Sequence, residues 1–456
     1  MGRTIMTTMK GVNNLTEGSI TARLVRLALP IMATSFIQMA YNLTDMFWVG
    51  RIGSEANAAV GSVGMFTWMS ASFSLMCKVG AEVSIGQAVG KRAYDEARLY
   101  ASHNVTLAII VSLFWAVLLS VFAVPLISVY ELAPSISADA VSYMRIVAAG
   151  IPFIFLASAF TGIYNACGRS SIPFYISGTG LVANMLLDPL FIFGFGMGTD
   201  GAAVATVLAQ MLVVVLFALQ MRRRDKLLDN FKLLVRLQRK ATLRVVKIGA
   251  PVALFNSLFA FANMYVSRIA SLHGGHIGLM TFTTGGQIEA ITWNTSQGFS
   301  TALGTFTAQN YAAGHGDRIV KAYKRTLAMT SVFGVFGTVL FIFFGQELFS
   351  VFVPEEAAYV SGGQFLRIDG YSQMFMMLEI ATQGVFYGIG RTVPPAIVSI
   401  CGNYLRIPLA LGLVALGMGV PGIWWAVSIS SILKGVVLFT WLMFIMRGLA
   451  SLRPSR

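Results

Sequence analysis

Gln38-Met39-Ala40-Tyr41-Asn42-Leu43-Thr44-Asp45 stands inside the first long apolar segment of the chain, which runs from about residue 24 to 50. Placing a carboxylate at bilayer depth costs ~2.5–3.5 kcal/mol on insertion scales. Helical spacing puts Thr34, Gln38, Tyr41, Asn42 and Asp45 near one face. A polar stripe on a membrane helix must look into protein or water, because lipid offers it no partners. Pro30 lies in the same segment and removes one backbone hydrogen bond, which invites a bend. The alternative to a functional acid is a structural carboxylate buried among hydrogen bonds.

Composition agrees with a membrane assignment. Of the 456 residues 56% are hydrophobic and only 11% charged, whereas soluble domains are about 25% charged. Apolar segments fall at roughly 24–50, 58–86, 100–125, 143–166, 173–196 and 200–221, then 245–270, 277–309, 325–348, 366–388, 394–415 and 422–446. Each approaches or exceeds the roughly 20 residues that cross a hydrocarbon core. The expected fold is therefore an all-α integral membrane protein with twelve transmembrane helices. The net charge of +14 reads first as a topology signal, since Lys and Arg concentrate in alternate loops. The basic loops include Arg3, Lys10, Arg23 and Arg26 before span one, ten cations between Arg222 and Lys247, and Arg447, Arg453 and Arg456 at the end. The opposite loops carry Glu131, Asp139, Asp200, Glu347, Glu355 and Glu356. Both termini are expected in the cytoplasm of a cell (inner or plasma) membrane, and no nucleic-acid partner is expected. Cys77, Cys167 and Cys401 are too scattered for a disulfide framework or a zinc site.

The two halves repeat each other. Gln87 matches Gln309, Arg145 matches Arg367, Gly168-Arg169 matches Gly390-Arg391 and Pro173 matches Pro395, all at a spacing of 222. Gly196-x-Gly198-x-x-Gly201 matches Gly417-x-Gly419-x-x-Gly422 at 221. Six spans per copy leave both in the same orientation. The predicted domains are 1–221 (spans one to six), a basic linker 222–244, and 245–456 (spans seven to twelve). Parallel repeats of this kind are a mark of secondary transporters.

Span five ends in Asn184-Met185-Leu186-Leu187-Asp188-Pro189, which sets Asn184 and Asp188 one turn apart on one face. Pro189 discourages helical geometry at Asp188, so freed carbonyls are expected there. Counting ~1.5 Å per residue, Asp45, Asp188, Thr206 and Tyr143 all fall in the outer half of the membrane. Two carboxylates, an amide oxygen and a hydroxyl are hard-oxygen ligands suited to H⁺ or Na⁺. Close together, the two acids cannot both ionise cheaply. The second repeat departs from this chemistry: Val266 stands at the place of Asp45, and Ile407-Pro408 replaces Asp188-Pro189. Its own deep ionisable residues are read as Glu289, Glu379 and Arg406, either a second cation or substrate site or a compensated Glu–Arg pair. Lys78 in span two reads as a snorkelling side chain.

With these residues in place, the chain resembles the MATE family, the multidrug and toxic compound extrusion transporters. The likeness covers about 20–450 and rests on Pro30…Asp45, Gly86-Gln87, Asn184-x-x-x-Asp188-Pro189, Gly201-Ala202-Ala203-x-Ala205-Thr206, Ile288-Glu289 and Ala308-Gln309-Asn310. The resemblance implies a bilobal MATE/MOP-type V and efflux of organic cations in exchange for H⁺ or Na⁺. Within the family the chain is similar to the DinF-like and archaeal branch, whose cation site implies coupling roles for Asp45, Asn184, Asp188 and Thr206. The same four would be the metal ligands if Na⁺ binds. Tyr41 and Tyr143 are then supporting hydrogen-bonding groups and Pro30 the bend of helix one. Gln38, Asn42, Glu289, Glu379 and Arg406 are substrate-cavity candidates. No organic cofactor is expected, and the expected assembly is a monomer.

Two rival readings carry distinct expectations. A lipid-linked precursor flippase of the same superfamily needs a cavity rich in Arg or Lys for its pyrophosphate, and Arg406 is the deep cation the sequence offers. An intramembrane aspartyl enzyme needs a nucleophile–base or Gly-x-Gly-Asp setting, and Asp188 follows Leu187 instead.

Overall fold

The computed structural model describes residues 11–229, 231–353 and 355–452. Arg3, Lys10, Arg453 and Arg456, counted above among the topology charges, lie outside the described residues. The protein is all-helical over the described residues. The first six crossings are α1 (Ile20–Ile52), α2 (Ser54–Gly90), α3 (Tyr94–Val121), α4 (Pro134–Ala166), α5 (Ser171–Pro189) and α6 (Gly198–Leu219). A further helical stretch, Arg239–Ala312, is 74 residues long, far more than one crossing needs. It breaks at Gly275, whose φ of 58° and ψ of −149° are open to glycine and not to a helix. Gly278 then packs back on the Ala270 carbonyl, so the chain reverses there into α7 (239–274) and α8 (276–312).

The remaining crossings are α9 (Gly316–Phe352), α10 in two pieces (Glu356–Gly370 and Gln373–Gly388), α11 (Val393–Leu413) and α12 (Val420–Ala450). Ten described helices are each long and apolar enough to span a membrane. The reversal at Gly275 makes one of them two crossings, and the two short pieces of α10 supply the twelfth. Sequence reading placed span ten as one segment over 366–388. The structure interrupts it at Tyr371–Ser372 and extends it back to Glu356. At the break Ser372 Oγ donates to the Asp369 carbonyl at 2.8 Å, which occupies an acceptor that an unbroken helix would use itself.

The chain forms two compact units. One comprises the described residues to Glu17 with Ala33–Ala253, and the other Gly18–Met32 with Leu254–Arg456. In membranes helices associate through close van der Waals packing, so small residues mark the contacts. In the first unit Gly162 on α4 lies against the Lys78 backbone of α2 with no room for a side chain. In the second, Gly384 on α10 meets the Ser300 backbone of α8 in the same way, 222 residues later. Backbone conformation repeats as well. Gly168 and Gly390 have φ of 73° and 81°, and the pair Gly196/Gly198 (65°, 58°) returns as Gly417/Gly419 (88°, 60°). The first unit's core joins Phe160, Tyr164 and Phe217 in one cluster and Ile151 and Phe155 in another. The second centres on Trp424, stacked on Phe282 at 6.1 Å and edge-on to Phe365 at 5.1 Å.

The basic stretch after α6 is fastened to the first unit. Arg169 pairs with Asp225 at 2.8 Å, and the Tyr164 hydroxyl donates to the same carboxylate at 2.9 Å. Farther on, the Gln238 N–H donates to His103 Nε2 at 2.9 Å, while His103 Nδ1 meets the Leu99 carbonyl at 2.8 Å. Nε2 accepts and Nδ1 faces an acceptor, so the two contacts together fix the orientation of the His103 ring.

Candidate functional site

Three helices of the first unit bring the sequence-predicted acids together. Asp188 and Asn184 are fully buried on α5, and Asn184 Nδ2 donates to Asp188 Oδ1 at 3.1 Å. From α1, the Asp45 carboxylate lies beside Asp188 and Asn184. Thr206 on α6 donates to Asp45 Oδ2 at a long 3.4 Å while holding the Ala202 carbonyl at 3.0 Å. Asp45 Oδ1, Asp188 Oδ2 and Asn184 Oδ1 are buried and accept nothing among the described residues. Buried oxygens without donors are costly, and here one niche holds three of them, one on each carboxylate and one on the amide. A proton or a small cation supplies what such a niche lacks.

Tyr41 and Tyr143 close the niche from α1 and α4, both buried. The Tyr41 hydroxyl faces the Gln210 side chain of α6 without completing a hydrogen bond. Gln210 carried no signal in the sequence beyond its place one turn after Thr206. The polar stripe on α1 divides: Tyr41 and Asp45 turn toward α5 and α6, whereas Gln38 and Asn42 are exposed. α1 passes through Pro30 as a single helix.

The expected loosening at Asp188 falls later in the chain. α5 remains helical through Pro189 (φ −63°, ψ −30°), and the distortion is a wide turn over Leu190–Gly194. Proline biases the residue before it away from helix but does not forbid it. The wide turn instead shifts the backbone bonds after the proline. Gly201 explains the tight closure of that turn, since it packs directly on the Phe191 backbone.

In the second unit the deep charges are more numerous than the sequence reading held. Glu289, Glu379 and Arg406 are joined by Asp369 on α10 and Lys434 on α12, which interact electrostatically with them. Arg406 is therefore not the lone deep cation. Of the two readings given to these residues, the Glu–Arg ion pair is not formed among the described residues: Arg406 donates to Ser430 at 2.8 Å and Ser431 at 3.1 Å. The ion pair is Lys434 with Glu379, at 3.3 Å. Asp369 is held by Gln373 at 2.6 Å, whose own oxygen accepts from Thr292 at 2.8 Å. A Lys in the middle of span twelve and an Asp at the start of span ten were the available signals. In the first unit Glu82, likewise passed over, accepts from Asn165 at 2.8 Å and faces Lys78.

Two repeats of six crossings, with buried acids on facing helices, define a secondary transporter of the parallel-repeat type. The MatE family model matches residues 30–190 and again 251–411, one match per repeat, and the chain belongs to that family of transporters. A probable multidrug resistance protein NorM from Thermotoga maritima is 25% identical over 89% of this chain and 88% of its own length. A FAD transporter from Shewanella oneidensis is 24% identical, over 94% and 96%. Among solved structures, a MATE transporter in its bent conformation superposes with a TM-score of 0.91 at 22% identity, over 97% of this chain and 99% of that one. A MOP superfamily transporter from Pyrococcus furiosus Vc1, described as having a binding pocket of reverse polarity, gives 0.87 at 23%, over 95% and 98%.

Proposed function

We propose that this protein exports organic cations across the cell membrane in antiport with H⁺ or Na⁺, with both termini in the cytoplasm. The observation that carries the reading is the meeting of Asp45 and Asp188 around three buried, donor-free oxygens. The incoming cation loads this niche, and a cationic substrate loses the carboxylates as its partners. Competition for one set of negative charges couples the two fluxes reciprocally. Asn184 and Thr206 orient the acids, and both are the metal ligands besides the acids if Na⁺ is the ion. Tyr41 and Tyr143 wall the niche, and Pro30 is the point at which α1 bends between states. Gln38 and Asn42 on the exposed side of α1 are offered to the substrate. The protein acts as a monomer in the bilayer.

The test is ethidium efflux from cells lacking their own pumps, with wild type, Asp45→Asn and Asp188→Asn compared with and without Na⁺. Loss in both variants at normal membrane abundance supports the coupling niche, and the Na⁺ dependence names the ion. Full efflux by both variants overturns it. The FAD transporter among the relatives favours one second reading, export of an anionic cargo. Wild-type transport of a dinucleotide with none of ethidium would select it.

A further inference from the structure

The two repeats differ at one close contact. In the first, Gly180 on α5 receives the side chain of Val213 on α6. The same place in the second pairs Gly402 on α11 with Lys434 on α12, spacings of 222 and 221. The aliphatic stem of Lys434 lies directly over Gly402, where a Cβ would collide with its Cγ and Cδ. An apolar packing residue has thus been exchanged for a lysine whose path is kept open by a glycine.

The ammonium at the end of that stem sits in an oxygen-lined place. Nζ donates to Asn403 Oδ1 at 3.1 Å and meets Glu379 Oε2 at 3.3 Å. Glu379 Oε1 accepts from Ser399 on α11 at 2.8 Å and from Gln383, one turn on along its own helix, at 3.1 Å. All five residues are buried or nearly so, Lys434 being 8% exposed. Asn403 follows Gly402 directly, and the 222 spacing sets Leu181 at its place in the first repeat. The first repeat leaves acid oxygens without donors, and the second fills an oxygen-lined place with a lysine of its own.

We infer that Lys434 is a tethered counter-cation. It occupies, in the second unit, an oxygen site that would otherwise take a monovalent cation or a primary ammonium from solution. Glu379 then stays compensated at every stage of transport without binding an ion. Resting on the antiport reading, the corollary is that Glu379 takes no part in coupling at the Asp45/Asp188 niche. Lys434 acts as a positioning residue that fixes ion stoichiometry.

The experiment uses the full chain purified in detergent, on an Asp45→Asn/Asp188→Asn background that removes the first unit's acids. On that background Lys434→Ala is compared with Lys434→Ala/Glu379→Gln. Thermal unfolding is followed in choline chloride, NaCl and propylammonium chloride at equal ionic strength, with ²²Na⁺ binding measured alongside. Lys434→Ala alone is expected to melt a few degrees lower in choline. Propylammonium, the atoms the truncation removes, or Na⁺ restores the loss by mass action. The double variant is expected to respond to neither cation and to bind no ²²Na⁺. A Lys434→Ala protein recovered only with one of these cations present supports the inference equally. Failure of both cations to restore it, an equal response from the double variant, or a Lys434→Ala protein lost under all salts while the double variant folds, overturns it. Because the first unit's acids are absent throughout, the result is independent of whether they couple transport.

Discussion

Asn184 Nδ2 donates to Asp188 Oδ1 at 3.1 Å, one turn apart on α5, with both side chains fully buried. The amide donates to that carboxylate, and its own Oδ1 is left without a partner among the described residues. Asn184→Ala removes the donor and leaves Asp188 Oδ1 without it. Leaving a buried carboxylate short of a donor costs ~1–3 kcal/mol or more. The expected outcome is a lower melting temperature in detergent together with at least about tenfold slower efflux, since tenfold corresponds to ~1.4 kcal/mol. Unchanged efflux with unchanged melting would remove Asn184 from the niche.

Gly162 and Gly384 occupy equivalent contacts against the backbones of Lys78 and Ser300. An added methyl has nowhere to go but into a carbonyl, and overpacking of a tight contact costs about 1–3 kcal/mol. Gly162→Ala and Gly384→Ala should each lower the melting temperature and the yield of folded protein. Gly448→Ala, where nothing lies near an added Cβ, should do neither. Size-exclusion recovery of the three variants is the check.

The Thr106 hydroxyl holds the stretch after α6 twice. It accepts from the Val235 N–H at 3.1 Å, and its one proton is shared between the Leu233 carbonyl at 3.2 Å and the Ser102 carbonyl of its own helix at 2.9 Å. Thr106→Val keeps the shape and deletes both bonds, a loss of about 1–3 kcal/mol confined to this segment. Amide exchange over 231–238 should accelerate by tenfold or more, with exchange in α9 and α11 unaltered. A uniform change across the chain would contradict the local character of the contact.

Arg169 and Asp225 form a half-buried pair, with Asp225 only 6% exposed, whereas Asp95 in the Arg98 pair is 98% exposed. Asp225→Ala leaves a guanidinium and the Tyr164 hydroxyl without their acceptor and should cost about 1–3 kcal/mol. Asp95→Ala should cost under about 1 kcal/mol, as exposed pairs do. Parallel thermal melts decide the order, and the reverse ranking would refute the argument.

Much of this architecture is legible along the chain because it depends on local quantities. Segment length and apolar content locate crossings, and helical periodicity alone sets Asn184 beside Asp188. The spacing of 222 between Gly168 and Gly390 was visible as letters, and the shared left-handed φ shows that it is also a shared conformation. Less legible were features with no period. Asp369 lay at the edge of a crossing that the structure splits, and Lys434 sat in a span whose hydropathy hides a single charge.

The sequence by itself determined that the chain is an all-helical, twice-repeated membrane protein, and which acids of the first repeat lie at similar depth. Tertiary structure alone decided that Asp45 meets Asp188 and Thr206, and that Glu379 pairs with Lys434 while Arg406 turns to Ser430 and Ser431. The reason is geometric. Depth and face follow from rise and period along one helix, but which faces touch follows from how helices rotate against each other. Small residues such as Gly162, Gly384 and Gly402 govern that rotation by admitting a neighbour's backbone or stem.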